Sequence, residues 1–182
     1  MIGTIMILGG AYLALKGGGA SADVTSQDAA VLAAIRAVEG TSGAGGYSVC
    51  YGYDHTIQNF AEHPDITGEW HGKELSASQC KRVGLGPGCK STAAGAYQMI
   101  VDTWRGARDA LGLKDFSPAS QDAAALWIAN NTGALDALDN GDIQGAIEDL
   151  ATQWDGFNAA RWSQGSGRDQ VAAILSKGVP SA

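Results

Sequence analysis

Glu39 is the residue of this 182-residue chain whose surroundings say most about chemistry. It follows Ile35 by four positions and Leu32 by seven, so it lies on the apolar stripe Val31, Leu32, Ile35, Val38 of a helical pattern, in the last turn. A carboxylate there loses hydration, and the negative end of the helix dipole opposes its ionised form. An acid that holds its proton near neutral pH is what general-acid catalysis requires. The competing reading is a solvated acid at a fraying helix end, so Glu39 needs context. A second segment supplies some: Ser91-Thr92-Ala93-Ala94-Gly95-Ala96-Tyr97-Gln98. Its small residues let a ligand approach the backbone, and its aromatic and amide side chains suit a sugar. Read alone, it is a helix start with a core tyrosine.

Other residues are candidates for different chemistry. His55, His63 and His71 recur every eight residues, which invites a zinc site. Helical metal pairs stand four apart and thiolate sites use C-x-x-C elements; neither occurs, so these are expected to be loop histidines without a metal. Cys80 and Cys89 bracket Lys-Arg-Val-Gly-Leu-Gly-Pro-Gly, a stretch that folds back easily. A short-loop disulfide, a bridge from Cys50 and three free thiols are the alternatives. No cysteine stands in a Cys/His motif of a nucleophile. Asp54, Glu62, Asp65 and Glu69 lie in polar loops and read as solvated, leaving no evident second carboxylate to pair with Glu39.

The elements that must position these residues follow from periodicity and caps. Thr25 or Ser26 caps the helix that ends at Glu39, with Asp28 in its first turn and Gly40 just past its end. In residues 41–90, Tyr47, Val49, Tyr51 and Tyr53 alternate with Ser48, Cys50 and Gly52, the period of a strand. This region is expected to be a small antiparallel sheet with long loops. Helical signals then return. Tyr97, Ile100, Val101, Trp104 and Leu111 fit one face; Ser117-Pro118 opens a helix running through Asn130. Asp142 caps another, with Ile143, Ile147, Leu150 and Trp154 on one side, and Val171, Ile174 and Leu175 mark a last one. The order predicts an α+β fold, mostly helical.

Residues 1–22 differ from the rest. Residues 2–15 carry no charge and are followed by Lys16, three glycines and Ala20-Ser21-Ala22. The run is short for a membrane span and holds three glycines, so it is expected to be an export signal or weak membrane anchor ahead of a domain over residues 23–182. Composition excludes other roles. With 12 basic and 19 acidic residues the formal charge is −7, a poor match for nucleic acid. An apolar fraction of 45% excludes wholesale disorder. Glycine supplies 26 residues, which argues for many tight turns and against a plain bundle.

Three segments in order resemble one known family. Ile35-Arg36-Ala37-Val38-Glu39-Gly40-Thr41 is similar to the helix end that bears the catalytic Glu of lambda-type phage endolysins. Residues 91–98 resemble their Ser-Thr-Gly-Ala-Gly-Arg-Tyr-Gln motif. Residues 111–122, Leu-Gly-Leu-Lys-Asp-Phe-Ser-Pro-Ala-Ser-Gln-Asp, are close to the family signature, and Gly141-Asp142-Ile143 with Ala146-Ile147 continues it. The resemblance covers residues 29–162. It implies a lysozyme-like α+β fold and a lytic transglycosylase that cleaves the β-1,4 bond between N-acetylmuramic acid and N-acetylglucosamine of bacterial peptidoglycan during phage lysis. Glu39 matches the catalytic acid/base. Ser91, Tyr97, Gln98 and Trp162 are the expected cleft-lining residues, with no metal or organic cofactor required. A same-class alternative is a hydrolytic lysozyme; one of another class is a non-catalytic, virion-associated glycan-binding protein. The expected state is a monomer unless built into a virion, exported to the host periplasm and membrane-tethered before release.

Two departures from the family qualify this. Arg161-Trp162-Ser163-Gln164 stands where the family has Gly-Tyr-Gly-Gln, so the aromatic is kept and its hydroxyl lost. Residues 66–89 are largely unmatched, which leaves substrate access to be shaped by this chain's own sequence. Ser48 and Asp54 stand where a second, hydrolytic phage lysozyme type carries Asp and Thr.

Overall fold

Thr25 accepts a hydrogen bond from the Asp28 backbone while Asp28 accepts one from the Thr25 backbone, a reciprocal box that starts helix α1 (Ser26–Glu39). The computed structural model describes residues 24–158 and 166–179. Val31, Leu32 and Ile35 of α1 are buried as their spacing requires, and Gly40 ends the helix at φ +73°, a left-handed conformation that glycine adopts without cost. Further on come α2 (Pro64–Thr67), β1 (Lys73–Glu74), α3 (Ala77–Arg82) and β2 (Lys90–Ser91). The C-terminal half is helical: α4 (Val101–Leu111), α5 (Pro118–Thr132), α6 (Ala134–Asp139), α7 (Ile143–Ala151) and α8 (Ser166–Leu175).

The core sits between α1 and the later helices. α1 packs on α5 and α8, α5 on α4, α6 and α7. Trp104, Tyr97, Phe116, Phe157 and Leu138 are among its largest fully buried side chains. Trp104 meets Phe116 edge to face at 4.8 Å, and His63 does so at 5.1 Å. Caps read from sequence are in place: Ser117 with Pro118 opens α5, and Asp142 accepts from the Gly145 backbone to open α7. Val171 and Leu175 of α8 are buried against this core.

The sheet is antiparallel and two-stranded, pairing Lys73 with Ser91 and Glu74 with Lys90. It is not where the tyrosine alternation put it. Residues 46–48 and 51–53 are two short 3-10 turns, joined through isolated bridges from Val49 to Thr56 and from Cys50 to Ala94. Gly52 at φ +78° breaks the extended path, and each tyrosine serves a different partner. Tyr47 donates to Asp122, Tyr51 accepts from Gln79, and Tyr53 donates to the Gly40 carbonyl. Helix α4 begins only at Val101, so Tyr97 is not on it, and Ile100 is exposed.

Among the described residues, no helix is long and apolar enough to cross a membrane. The apolar run of residues 2–15, and the division expected after residue 22, lie outside them.

Candidate active site

Glu39 stands half-buried at the end of α1, and the chain leaving it is tied down at once. The Thr41 backbone donates to the Arg36 carbonyl at 2.9 Å, and the Arg36 guanidinium returns to the Thr41 and Gly43 carbonyls while lying over the Tyr47 ring. The buried Thr41 hydroxyl donates to the Ala96 carbonyl. That bond joins the Glu39 helix end to a second element, a tight hairpin in which Ala94 and Met99 exchange backbone hydrogen bonds.

The signature run holds this hairpin from behind. Gln121, fully buried, accepts from the Ala96 backbone at 2.9 Å and donates to the Tyr47 and Phe116 carbonyls. Gly95 is required there: its φ is +76°, and a β-carbon would stand 2.2 Å from the Gln121 Oε1. Asp122 accepts from the Tyr97 hydroxyl at 2.6 Å and the Tyr47 hydroxyl at 2.9 Å. Burial first, then this bond, pushes the Tyr97 hydroxyl's pKa far up. Tyr97 is therefore a core strut and not a cleft-lining residue: its relative exposure is 0%. In a hairpin this tight the next side chain turns the other way. Gln98, at φ +46°, faces the cleft, its amide donating to the Val49 and Gly95 carbonyls.

A cleft of about 270 Å³ gathers Glu39, Gln98 and Ser91 with Tyr51, Gln79, Arg82, Val83 and the run Gln153-Trp154-Asp155-Gly156. Three residues singled out from sequence thus meet on one wall system; Trp162 lies outside the described residues. Missed in the sequence was the 153–156 run, which sits past the end of α7. Trp154, expected on the α7 face, is buried beyond the helix and donates its indole N–H to the Tyr97 carbonyl at 2.9 Å. Asp155 brings a second carboxylate to the cleft wall, and it accepts from the Asn158 amide at 2.8 Å. Its sequence neighbourhood carries no periodicity that would have marked it.

Of the loop acids read as solvated, Asp54 is exposed as expected, whereas Glu62 and Glu69 are structural groups. Glu62 accepts from the Trp104 indole, from the Arg108 guanidinium at 2.7 Å and from the His63 backbone at 2.9 Å. Burial opposes its charge, yet these donors outweigh burial and hold its pKa below the usual carboxylate range. Glu69 is depressed in the same way: burial opposes, and the Gln58 and Asn59 backbones with His55 outweigh it. The histidines go separate ways. His55 pairs with Glu69 and His71 with Asp65, while buried His63 bonds the Met99 carbonyl through Nε2 and accepts from the Asp65 backbone. Cys80 and Cys89 form a disulfide with Cα atoms 5.8 Å apart, and Cys50 is a buried free thiol.

Residues 29–176 match the Endolysin family. The chain belongs to that family. This member is 36% identical over 115 residues to the endolysin of Escherichia phage lambda, a stretch covering 62% of this chain and 65% of that protein. It is 34% identical over 84 residues to the endolysin of Escherichia phage P2, covering 46% of this chain and 51% of the relative. It thus matches under two thirds of each relative's length. The fold is that of the lysozyme from bacteriophage lambda: the TM-score is 0.68 at 28% identity, over 89% of this chain and 99% of the other. A lambda lysozyme complexed with a chitohexasaccharide superposes with a TM-score of 0.64 at 32% identity, over 87% and 97%.

Proposed function

We propose that this family member degrades peptidoglycan for phage lysis, cutting the β-1,4 bond between N-acetylmuramic acid and N-acetylglucosamine as a lytic transglycosylase. The supporting observation is the convergence of half-buried Glu39, Gln98 and Ser91 on one cleft in an endolysin-family fold. The relative solved with a chitohexasaccharide supports a glycan as the occupant here. Glu39 gives its proton to the glycosidic oxygen as the bond to C1 breaks, and the N-acetylglucosamine side leaves as an alcohol. The muramic C6 hydroxyl then adds to C1 and returns its proton to Glu39, so no water is consumed and a 1,6-anhydro end forms. Gln98, its carbonyl oxygen unspent by the two bonds its amide makes, is suited to accept from a sugar hydroxyl.

Hydrolysis is the second reading, and Asp155 on the cleft wall is what favours it. Either way Glu39 carries the proton. Glu39→Gln is expected to fold with unchanged or raised melting temperature and to clear purified cell walls at less than a few percent of the wild-type rate. Retained clearing with an intact fold would remove Glu39 from the mechanism.

Residues 1–22 belong to the same proposal as an export or tethering segment. The full chain is expected in the membrane fraction and a chain starting at Asp23 in the soluble one. Equal fractionation of the two would overturn it.

A further inference from the structure

We infer that Arg82 recognises the carboxylates of the peptide stem borne by N-acetylmuramic acid, so that the cleft prefers stem-bearing glycan to bare glycan. The inference rests on the peptidoglycan reading and deepens it. Its first observation is a contrast among the arginines. Arg105 pairs with Asp102, Arg108 with Glu62 and Asp109, Arg168 with Glu148, and Arg36 with backbone carbonyls and the Tyr47 ring. Arg82 lines the Glu39 cleft and is alone among the described arginines in having no such partner.

Its second observation is that the segment carrying Arg82 is built to stay in place. Ser76 and Gln79 form a capping box at the start of α3, and the Gln79 amide also donates to the Tyr51 hydroxyl. The Cys80–Cys89 disulfide closes the loop, and the Leu85 backbone donates to the Cys80 carbonyl at 2.8 Å. Loops closed this way lose less entropy when a ligand engages them.

Charge supplies the third. The chain carries −7 overall, so an anionic substrate meets a repulsive field away from local basic groups. Lys81 and Arg82 end α3 together and are both exposed, giving this lip a basic pair on an acidic molecule. A planar guanidinium with its donors unspent fits a carboxylate in two-point geometry. In a glycan strand of alternating sugars, the carboxylates extend from the lactyl-linked peptide, sideways from the chain. A lip beside the cleft floor is where such a branch passes.

The test measures dissociation constants of soluble glycan strands with their tetrapeptide stems, and of the same strands after amidase removal of the stems. It uses Glu39→Gln protein so that turnover does not interfere, and cleavage rates of the otherwise wild-type chain are measured in parallel. The wild-type lip is expected to bind stem-bearing strands about tenfold more tightly, the scale of one charge-assisted pair. Arg82→Gln brings that ratio to near one, Arg82→Lys keeps part of it, and the cleavage penalty falls on KM and not on kcat. A ratio near one in the wild type, or one unmoved by Arg82→Gln, overturns the inference. Absence of cleavage with the binding preference intact overturns the proposed activity and leaves the Arg82 inference standing.

Discussion

Gly156 lies so close to the end of α1 that a β-carbon on it would stand 3.0 Å from the Glu39 Oε1 and 2.9 Å from the Val38 Cβ. The Val38 Cβ is fixed to the α1 backbone and cannot swing aside. The turn of residues 155–157 is thus seated on the helix end that presents the acid, and it is a glycine that lets it sit there. Gly156→Ala is expected to cost about 1–3 kcal/mol through overpacking. It should cost activity by more than that fraction unfolded explains, about tenfold or more, because displacing the acid by a fraction of an ångström degrades proton delivery. Melting curves and wall-clearing rates on the same samples decide it, and wild-type rates would show that the contact is relieved elsewhere.

The lip of the cleft is held by the disulfide. Reduction releases a loop of about ten residues, a loss of roughly 2–3 kcal/mol by chain entropy. The main core lies among the helices, so the reduced protein should remain folded. Activity should drop several-fold, and proteolysis should begin within residues 81–88. Thiol titration separates this from an effect of Cys50. Burial, with Glu69 and Asp54 adding to it, pushes the Cys50 thiol up to about 12, so it should not react in the native state. No fast thiol before reduction and two after it are expected; a fast thiol beforehand would contradict the pairing.

Helix boundaries were legible because caps are local chemistry. Thr25 with Asp28, Ser117 with Pro118, Asp142 and Gly40 each act within four residues of the backbone they satisfy. The disulfide was legible only as one option, since spacing allows a bridge without requiring it. Tyr47 to Tyr53 misled for a physical reason: alternation reports two-sided exposure, and two 3-10 turns around Gly52 produce it as well as a strand does. Tyr97 and Gln98 were read together, yet the positive φ at Gln98 sends the pair to opposite sides, one to Asp122 and one to the cleft. Glu62 was read as solvated and Asp155 was passed over because partners such as Trp104 and a cleft wall are set by tertiary packing alone.

His63 gives the fold a pH dependence that is independent of activity. Burial lowers its pKa, and this outweighs the Met99 carbonyl, Asp65 and Glu62, which favour the charged form, while Arg105 adds to the depression. A histidine depressed in the folded state binds its proton first in the unfolded chain. Stability is therefore full above the unfolded value, about 6.5, and falls as the pH drops from there toward the folded value. The melting temperature should decline between pH 7.5 and 5.5. His63→Gln should start lower, having lost a good fit to the Asp65 backbone and the Met99 carbonyl, but show a flatter profile over that range. Glu62 and Glu69, both depressed, add a second loss only at more acidic pH, as the pH falls through their folded values. An equally steep decline in His63→Gln would assign the first phase to another group.

Asp155 decides how the glycosyl centre is resolved. If water attacks C1, a second carboxylate must take its proton or trap the sugar, and Asp155 is the one acid besides Glu39 on the cleft wall among the described residues. If the C6 hydroxyl attacks, Glu39 is first acid and then base, and Asp155 only shapes the wall. The two routes differ in what Asp155→Asn removes. For hydrolysis it deletes a required base, at a cost of about 10²–10⁴ in rate. For transglycosylation it leaves the chemical route intact, and a loss within about fivefold is expected, with products still ending in 1,6-anhydro-N-acetylmuramic acid. Digestion in ¹⁸O-labelled water reads the same question without a mutation, since an anhydro end takes no oxygen from solvent. Chitin oligomers are expected to bind and to remain uncut, because they lack muramic acid. Labelled reducing ends, brisk chitin cleavage and a dead Asp155→Asn together would establish water as the nucleophile and Asp155 as its base.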